Sequence, residues 1–160
     1  MRTGLRTLFF VTALVCPAWA QRSNGYVFIA PGGVTCCGDT GSTLHFGVGG
    51  EAVLGAGIGL GAEIGALGEP RFFGDSVVGI LSPNGYYHFA RSRRSRADPF
   101  VTGGYTLLFR SGHLNLFNFG GGFNYWFAGS LGARIEFRDH VYSSGVTIHY
   151  WGLRLGLAFR

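Results

Sequence analysis

After residue 20 the chain contains no apolar run that is both long and uncharged enough to form a membrane helix. If residues 21–160 cross a bilayer, they must do so as a sheet closed on itself, because an open edge would leave unpaired backbone groups in hydrocarbon. Lysine is absent, and all 13 basic residues are arginine; nothing in the pattern explains that preference. Charge is sparse at 13%, while aromatics reach 16% and all hydrophobic residues 47%, which is too aromatic for a flexible or disordered chain. Cysteine is scarce too. Cys16 lies in the N-terminal segment, and Cys36 and Cys37 are adjacent, so a bridge between them would need a strained ring. With Asp39 as the only further ligand nearby, that pair falls short of a metal site. The expectation is two loop thiols, no metal and no cofactor.

What is present begins with Arg2 and Arg6, the apolar run Leu8 to Val15, and Ala18-Trp-Ala20. That charged, apolar and small-residue order is the form of a secretory signal, with cleavage expected after Ala20. Val15 before Cys16 and Pro17 after it disfavour lipidation. Residues 21–160 then make one domain, enough for eight strands of about ten residues plus turns. Losing Arg2 and Arg6 leaves eleven basic residues against eight acidic, a net charge of about +3 that is too mild to imply nucleic acid.

The 29 glycines disfavour helix, and the apolar residues recur with period two. From Trp151 to Arg160, one face carries Trp151, Leu153, Leu155, Leu157 and Phe159, and the other Gly152, Arg154, Gly156, Ala158 and Arg160. Large apolar residues suit lipid, and Gly and Arg suit the interior of a small barrel. Residues 43–53 oppose Leu44, Phe46 and Val48 to His45, Gly47 and Glu51; residues 58–67 oppose Ile58, Leu60 and Ile64 to Gly59, Gly61 and Glu63. A mid-strand Glu cannot face lipid cheaply, so the charged face is assigned to the lumen. Residues 116–127 oppose Phe117, Phe119, Phe123 and Tyr125 to Asn118, Gly120, Gly122, Asn124 and Trp126, the last interfacial if it lies at a rim. Residues 131–137 set Ile135 and Phe137 against Arg134, Glu136 and Arg138.

The remaining expected strands cover 26–30, ended by Pro31-Gly-Gly33, then 77–89, where Pro83 calls for an edge or bulge, and 99–109. Residues 34–42, 68–75, 90–98 and 139–145 are expected to be connections. Tyr26, Phe73, Tyr86, Tyr87, Phe109, Phe117, Tyr125 and Trp151 are expected to form girdles at the two membrane surfaces.

The lumen face collects Glu51, Glu63, Arg134, Glu136, Arg138 and Arg154, a set expected to pair as a structural charge network rather than to line a water channel. Asp139, His140, Ser143, Ser144 and His149 could serve a hydrolase acting on outer-leaflet lipid, although their spacing has no specificity. No catalytic residue is therefore assigned. The cluster Arg91, Arg93, Arg94 and Arg96 is read as a solvated turn beside anionic headgroups or cell wall. Alternation alone would also fit a soluble ligand-binding barrel turned inside out; the export signal and the Gly-rich charged face favour the membrane.

Pro99 to Tyr105, Asn118 to Trp126, Arg134 to Asp139 and the last strand resemble the small outer-membrane barrel proteins of OmpA/OmpX type. The resemblance implies an all-β, eight-stranded antiparallel up-and-down transmembrane barrel, monomeric and non-catalytic, in a bacterial outer membrane. It implies contact with outer-membrane lipid and lipopolysaccharide, and delivery by the barrel-assembly machinery through a C-terminal signal, here Trp151, Leu155, Leu157 and Phe159. Family members typically end on an aromatic, whereas Arg160 follows Phe159 here. The role expected is structural or surface interaction, with a narrow passive pore as the alternative and a lipid-modifying enzyme behind it.

Overall fold

The computed structural model describes residues 22–90, 92 and 95–160. Residues 1–21, which hold the expected secretory signal, and Arg91, Arg93 and Arg94 lie outside the described residues. Eight strands form the fold: β1 (Arg22–Cys36), β2 (Asp39–Gly55), β3 (Ile58–Gly68), β4 (Val78–His88), β5 (Ala97–Phe109), β6 (His113–Trp126), β7 (Leu131–Ser144) and β8 (Val146–Phe159). Each pairs antiparallel with its neighbours in sequence, and β8 pairs with β1, so the sheet is a closed up-and-down barrel. Both ends of the described chain and the turn at Ala56-Gly57 lie at one rim, called here the near rim. Between β3 and β4, at the far rim, lie a 3-10 turn, Pro70–Phe72, and the one-turn helix α1, Phe73–Ser76.

Period-two alternation drives this closure because each face of a strand meets one solvent only. Ile58, Leu60, Ile64, Leu153, Leu155 and Leu157 are exposed on the outside, while Glu51, Glu63, Arg134 and Arg154 are buried inside. Glycine at inward positions lets neighbouring strands coil tightly. A Cβ on Gly61 would strike the Gly50 carbonyl, and one on Gly122 the Ile135 carbonyl.

Two prolines sit inside strands without opening the barrel. The β1–β8 ladder passes from Ile29 opposite Leu155 to Gly32 opposite Gly152, skipping Ala30 and Pro31. The β4–β5 ladder likewise passes from Leu81 opposite Leu107 to Asn84 opposite Gly104, skipping Ser82 and Pro83. On their other sides both prolines stay in register, Pro31 opposite Leu44 and Pro83 opposite Ala62. A proline has no N–H to donate, so the ladder lapses only where that donor would have pointed. The expected stop of the first strand at Pro31 is thus corrected, and Pro83 needs neither an edge nor a register shift.

The expected connections at 34–42 and 139–145 are corrected as well, because both are strand. β1 and β2 run on to a turn at Cys37-Gly38, with φ of 58° and 94°; β7 and β8 meet across Gly145, with φ of 79°. The ladders to their neighbours stop short. The β6–β7 ladder ends at Phe117 opposite Val141, whereas β7–β8 continues to Ser144 opposite Val146. Correspondingly, β2–β3 ends at Leu44 opposite Gly68, whereas β1–β2 reaches Cys36 opposite Asp39. The β7–β8 and β1–β2 hairpins therefore outrun the β6–β7 and β2–β3 ladders, while β6 continues to His113 paired with β5.

Candidate functional site

The six charged residues singled out from the sequence come from four strands and meet inside the barrel. Glu51 (β2) and Glu63 (β3) face Arg134, Glu136 and Arg138 (β7) and Arg154 (β8), all at most 4% exposed. Arg154 grips Glu63 with both terminal nitrogens, at 2.7 and 2.8 Å, joining strands that are not neighbours in the wall. Glu136 accepts from Arg134 Nε at 3.1 Å and from Arg138 Nε at 2.6 Å, and lies 3.7 Å from Arg154. Arg134 also lies 3.8 Å from Glu51, and Arg138 lies 3.9 Å from Glu63.

Neutral groups complete the set. Asn24 donates to Glu51 at 2.9 Å, and the Tyr26 hydroxyl donates to Glu63 at 3.2 Å. Arg134 and Arg138 also donate to the side-chain oxygens of Asn124 and Asn118. The Arg134 guanidinium lies 4.2 Å from the Tyr26 ring centre and 4.1 Å from that of Phe100, and Arg154 lies 4.4 Å from Phe28. Such stacking suits a planar, weakly hydrated cation, which gives Arg an advantage over Lys in a closed lumen.

Sequence reasoning placed Tyr26 and Tyr86 in the membrane-surface girdles, and the structure corrects both, whereas Trp126 keeps the lumen face expected for it. The three are 2%, 4% and 3% exposed and face inward, because even-numbered positions of β1, β4 and β6 point to the lumen. Arg160 caps Trp126 at 4.4 Å from its ring, closing the near rim. Phe73 packs on α1 against Phe46, with ring centres 5.3 Å apart. Tyr87, Phe109, Phe117, Tyr125 and Trp151 are exposed on the outer face.

The residues missed were the lumen's neutral and apolar layers. Ser82 and Thr106 hydrogen-bond at 2.8 Å; Thr106 also bonds His140, at 2.9 Å, and accepts from Asn118. His88 lies 3.0 Å from Asp98 and 3.4 Å from Glu51. Toward the far rim, Leu67, Ile80, Leu108 and Leu116 form a buried apolar layer inside the barrel. The signal was available in the alternation of Ile80, Ser82, Asn84, Tyr86 and His88, which share one face of β4. The void beside His45, Arg138, His140 and Arg154 measures about 20 Å³, room for a single water.

The candidate hydrolytic set is only partly assembled. Asp139 and His149 meet at 2.7 Å on outward positions near Trp151. His140 turns inward to Thr106 and Arg154. Among the described residues no serine or threonine hydroxyl bonds to His149, and Ser143 stands opposite Thr147, farther from the barrel body. Cys36 and Cys37 carry free thiols at the far-rim turn. The Cys37 thiol, hydrogen-bonded to that of Cys36, pushes the Cys36 pKa up.

A closed eight-stranded antiparallel barrel with an apolar outer face and an ion-paired lumen defines the class: the fold is that of the small outer-membrane barrels of OmpA/OmpX type. No protein-family model matches the chain, and no curated protein matches it in sequence. Solved structures do. The N-terminal β-barrel domain of Pseudomonas aeruginosa OprF is 17% identical, with a TM-score of 0.61, covering 86% of this chain and 98% of that one. Neisserial surface protein A is 8% identical, with a TM-score of 0.66 and coverage of 86% and 96%. A transmembrane barrel designed de novo is 16% identical, with a TM-score of 0.55 and coverage of 88% and 98%. At such identities the likeness reports architecture, and a designed chain among the matches underlines that.

Proposed function

We propose that the protein is an integral barrel of a bacterial outer membrane, monomeric, and serving envelope structure or surface interaction rather than catalysis. The observation that carries the reading is the opposition of its two faces: an outer surface of exposed Ile, Leu, Val and Phe around a lumen packed with paired Glu and Arg. From Trp151 to Phe159, eight steps of about 3.3 Å on a strand tilted by about 40° give an apolar band about 20 Å tall on this side of the barrel. That is close to the ~25 Å band of known outer-membrane barrels. In this reading the near rim faces the periplasm and the far rim faces outward into lipopolysaccharide, with Trp151, Leu155, Leu157 and Phe159 serving as the recognition strand for the barrel-assembly machinery.

The ion-paired lumen supports a plug over a pore, since a conducting path would have to part the Glu63–Arg154 bridge. The Asp139–His149 pair supplies an imidazole and a carboxylate without a bonded nucleophile, which weighs against a hydrolase. Membrane fractionation with gel mobility before and after boiling tests the reading. An outer-membrane band that shifts on boiling is expected, and a soluble periplasmic protein would refute it.

A further inference from the structure

The charged middle of the lumen gives way, above Ser82, Thr106 and His140, to side chains of another kind. There Leu67, Ile80, Leu108 and Leu116 close the lumen with an apolar layer, and Val78, Tyr142 and Tyr150 pack against it. Above that layer, at the far rim, lies a cavity of about 600 Å³ bordered by Val34, Leu67, Val78, Leu108, Leu114 and Tyr150. β5 and β6 are thus apolar on both faces at this level: Leu107 and Phe109 point outward, and Leu108 and Leu114 inward. Apolar side chains also fill the lumen lower down, at Phe28 and Trp126; what sets this layer apart is the open cavity above it. One side of the cavity is formed by β1 and β8, through Val34 and Tyr150; the opposite side is the β5–β6 turn.

The border is not uniformly apolar. Arg110 reaches it, with Nη1 held by the Asp75 carbonyl at 2.6 Å, while its Nε and Nη2 meet no acceptor among the described residues. His113 stands nearby, and Glu69 is the border's carboxylate, on the β3–β4 side. A blind apolar cup of this volume lies within the ~300–1,000 Å³ of small-ligand sites and suits one acyl chain rather than a multi-chain lipid.

We propose that this cup binds a free long-chain fatty acid, its acyl chain among Leu67, Val78, Leu108 and Tyr150 and its carboxylate on the unpaired edge of the Arg110 guanidinium. The site goes beyond an envelope or surface role by assigning a ligand class to the far rim. Since the charged lumen lies beneath it, the site captures and does not transport.

The test uses the full mature chain folded in lipid nanodiscs, with boiling-dependent gel mobility confirming a closed barrel in every sample. A long-chain fatty acid bearing a photoreactive diazirine at its methyl end is cross-linked, and the modified residues are mapped by mass spectrometry. Saturable labelling is expected on inward Leu67, Leu108 or Tyr150, competed by unlabelled fatty acid. Filling the cup by Val78→Trp, or independently by Leu108→Trp, is expected to lower that labelling about tenfold or more. Arg110→Gln is expected to weaken the fatty acid about tenfold while leaving the corresponding fatty alcohol unchanged. Labelling confined to outward Phe117, Phe119 and Leu153, as surrounding lipid would give, overturns the proposal. So does inward labelling that survives both cup-filling variants. A closed barrel that fails to bind refutes the cup and leaves the membrane reading standing; a chain that never shifts on boiling refutes the membrane reading instead.

Discussion

Replacing Glu63 with Gln removes the anion that ties β3 to β8 across the lumen. In the parent, Arg154 makes two hydrogen bonds to Glu63, at 2.7 and 2.8 Å, and its next partners are His140 at 3.1 Å and Glu136 at 3.7 Å. Glu136 is already shared with Arg134 and Arg138, so it cannot neutralise a third guanidinium equally well. The variant buries three arginines against Glu51 and Glu136, and breaking a buried pair in this way costs about 3–5 kcal/mol. With a urea slope of about 2 kcal/mol per molar, the unfolding midpoint should fall by roughly 1.5–2.5 M. The assay is urea unfolding of the lipid-embedded barrel, followed by Trp fluorescence and by gel mobility without boiling. Arg154→Met should also destabilise, because it strands Glu63 with Tyr26 at 3.2 Å and Arg138 at 3.9 Å. The double variant Glu63→Leu with Arg154→Met removes both charges and should recover much of the loss, giving a coupling energy of about 1–3 kcal/mol. Single variants with parental midpoints, or a coupling below about 0.5 kcal/mol, would refute the bridge as a structural element.

Leu155→Arg, near the middle of the outer row of β8, should cost about 2–4 kcal/mol when folded in lipid, measured by the same titration. Gly61→Ala should fail to close the barrel or destabilise it by at least about 2 kcal/mol, since the new methyl meets the Gly50 carbonyl; Gly50→Ala, whose nearest neighbour is the Asn24 carbonyl at 3.6 Å, should fold like the parent, as read by boiling-dependent mobility. A membrane-impermeant maleimide should label Cys37 on intact cells, and a Cys placed at Ser130 only after the outer membrane is opened. Because the neighbouring Cys37 thiol raises the pKa of Cys36, labelling of Cys36 should speed up as pH rises. Phe159→Ala should reduce the amount inserted in cells while leaving refolding into lipid in vitro unchanged, because recognition and stability are separate tests of the last strand.

The parts of the fold legible in the sequence were those where one face is charged or glycine and the other bulky. β3 and β8 could be placed because Glu63 and Arg154 cannot face hydrocarbon, and one such residue fixes the direction of every neighbour on its strand. Tyr26 and Tyr86 went astray because an amphipathic aromatic satisfies either face: at an interface it meets headgroups, and in this lumen Tyr26 meets Glu63 and carries Arg134 on its ring. The prolines misled for a related reason. Pro31 and Pro83 look like breaks only if both sides of a strand must be fully paired, and here each costs one ladder a two-residue gap. Asp139 to Ser144 reads as a polar loop, yet the hairpin to Val146 continues as strand past the end of the β6–β7 ladder, so the residues carry the polarity of solvent on a strand backbone. The same logic explains why the far-rim cup was invisible beforehand. Leu107, Leu108 and Phe109 have no alternation to read, and only closure of the barrel shows that the middle residue of the three points inward, to the apolar layer it forms with Leu67, Ile80 and Leu116.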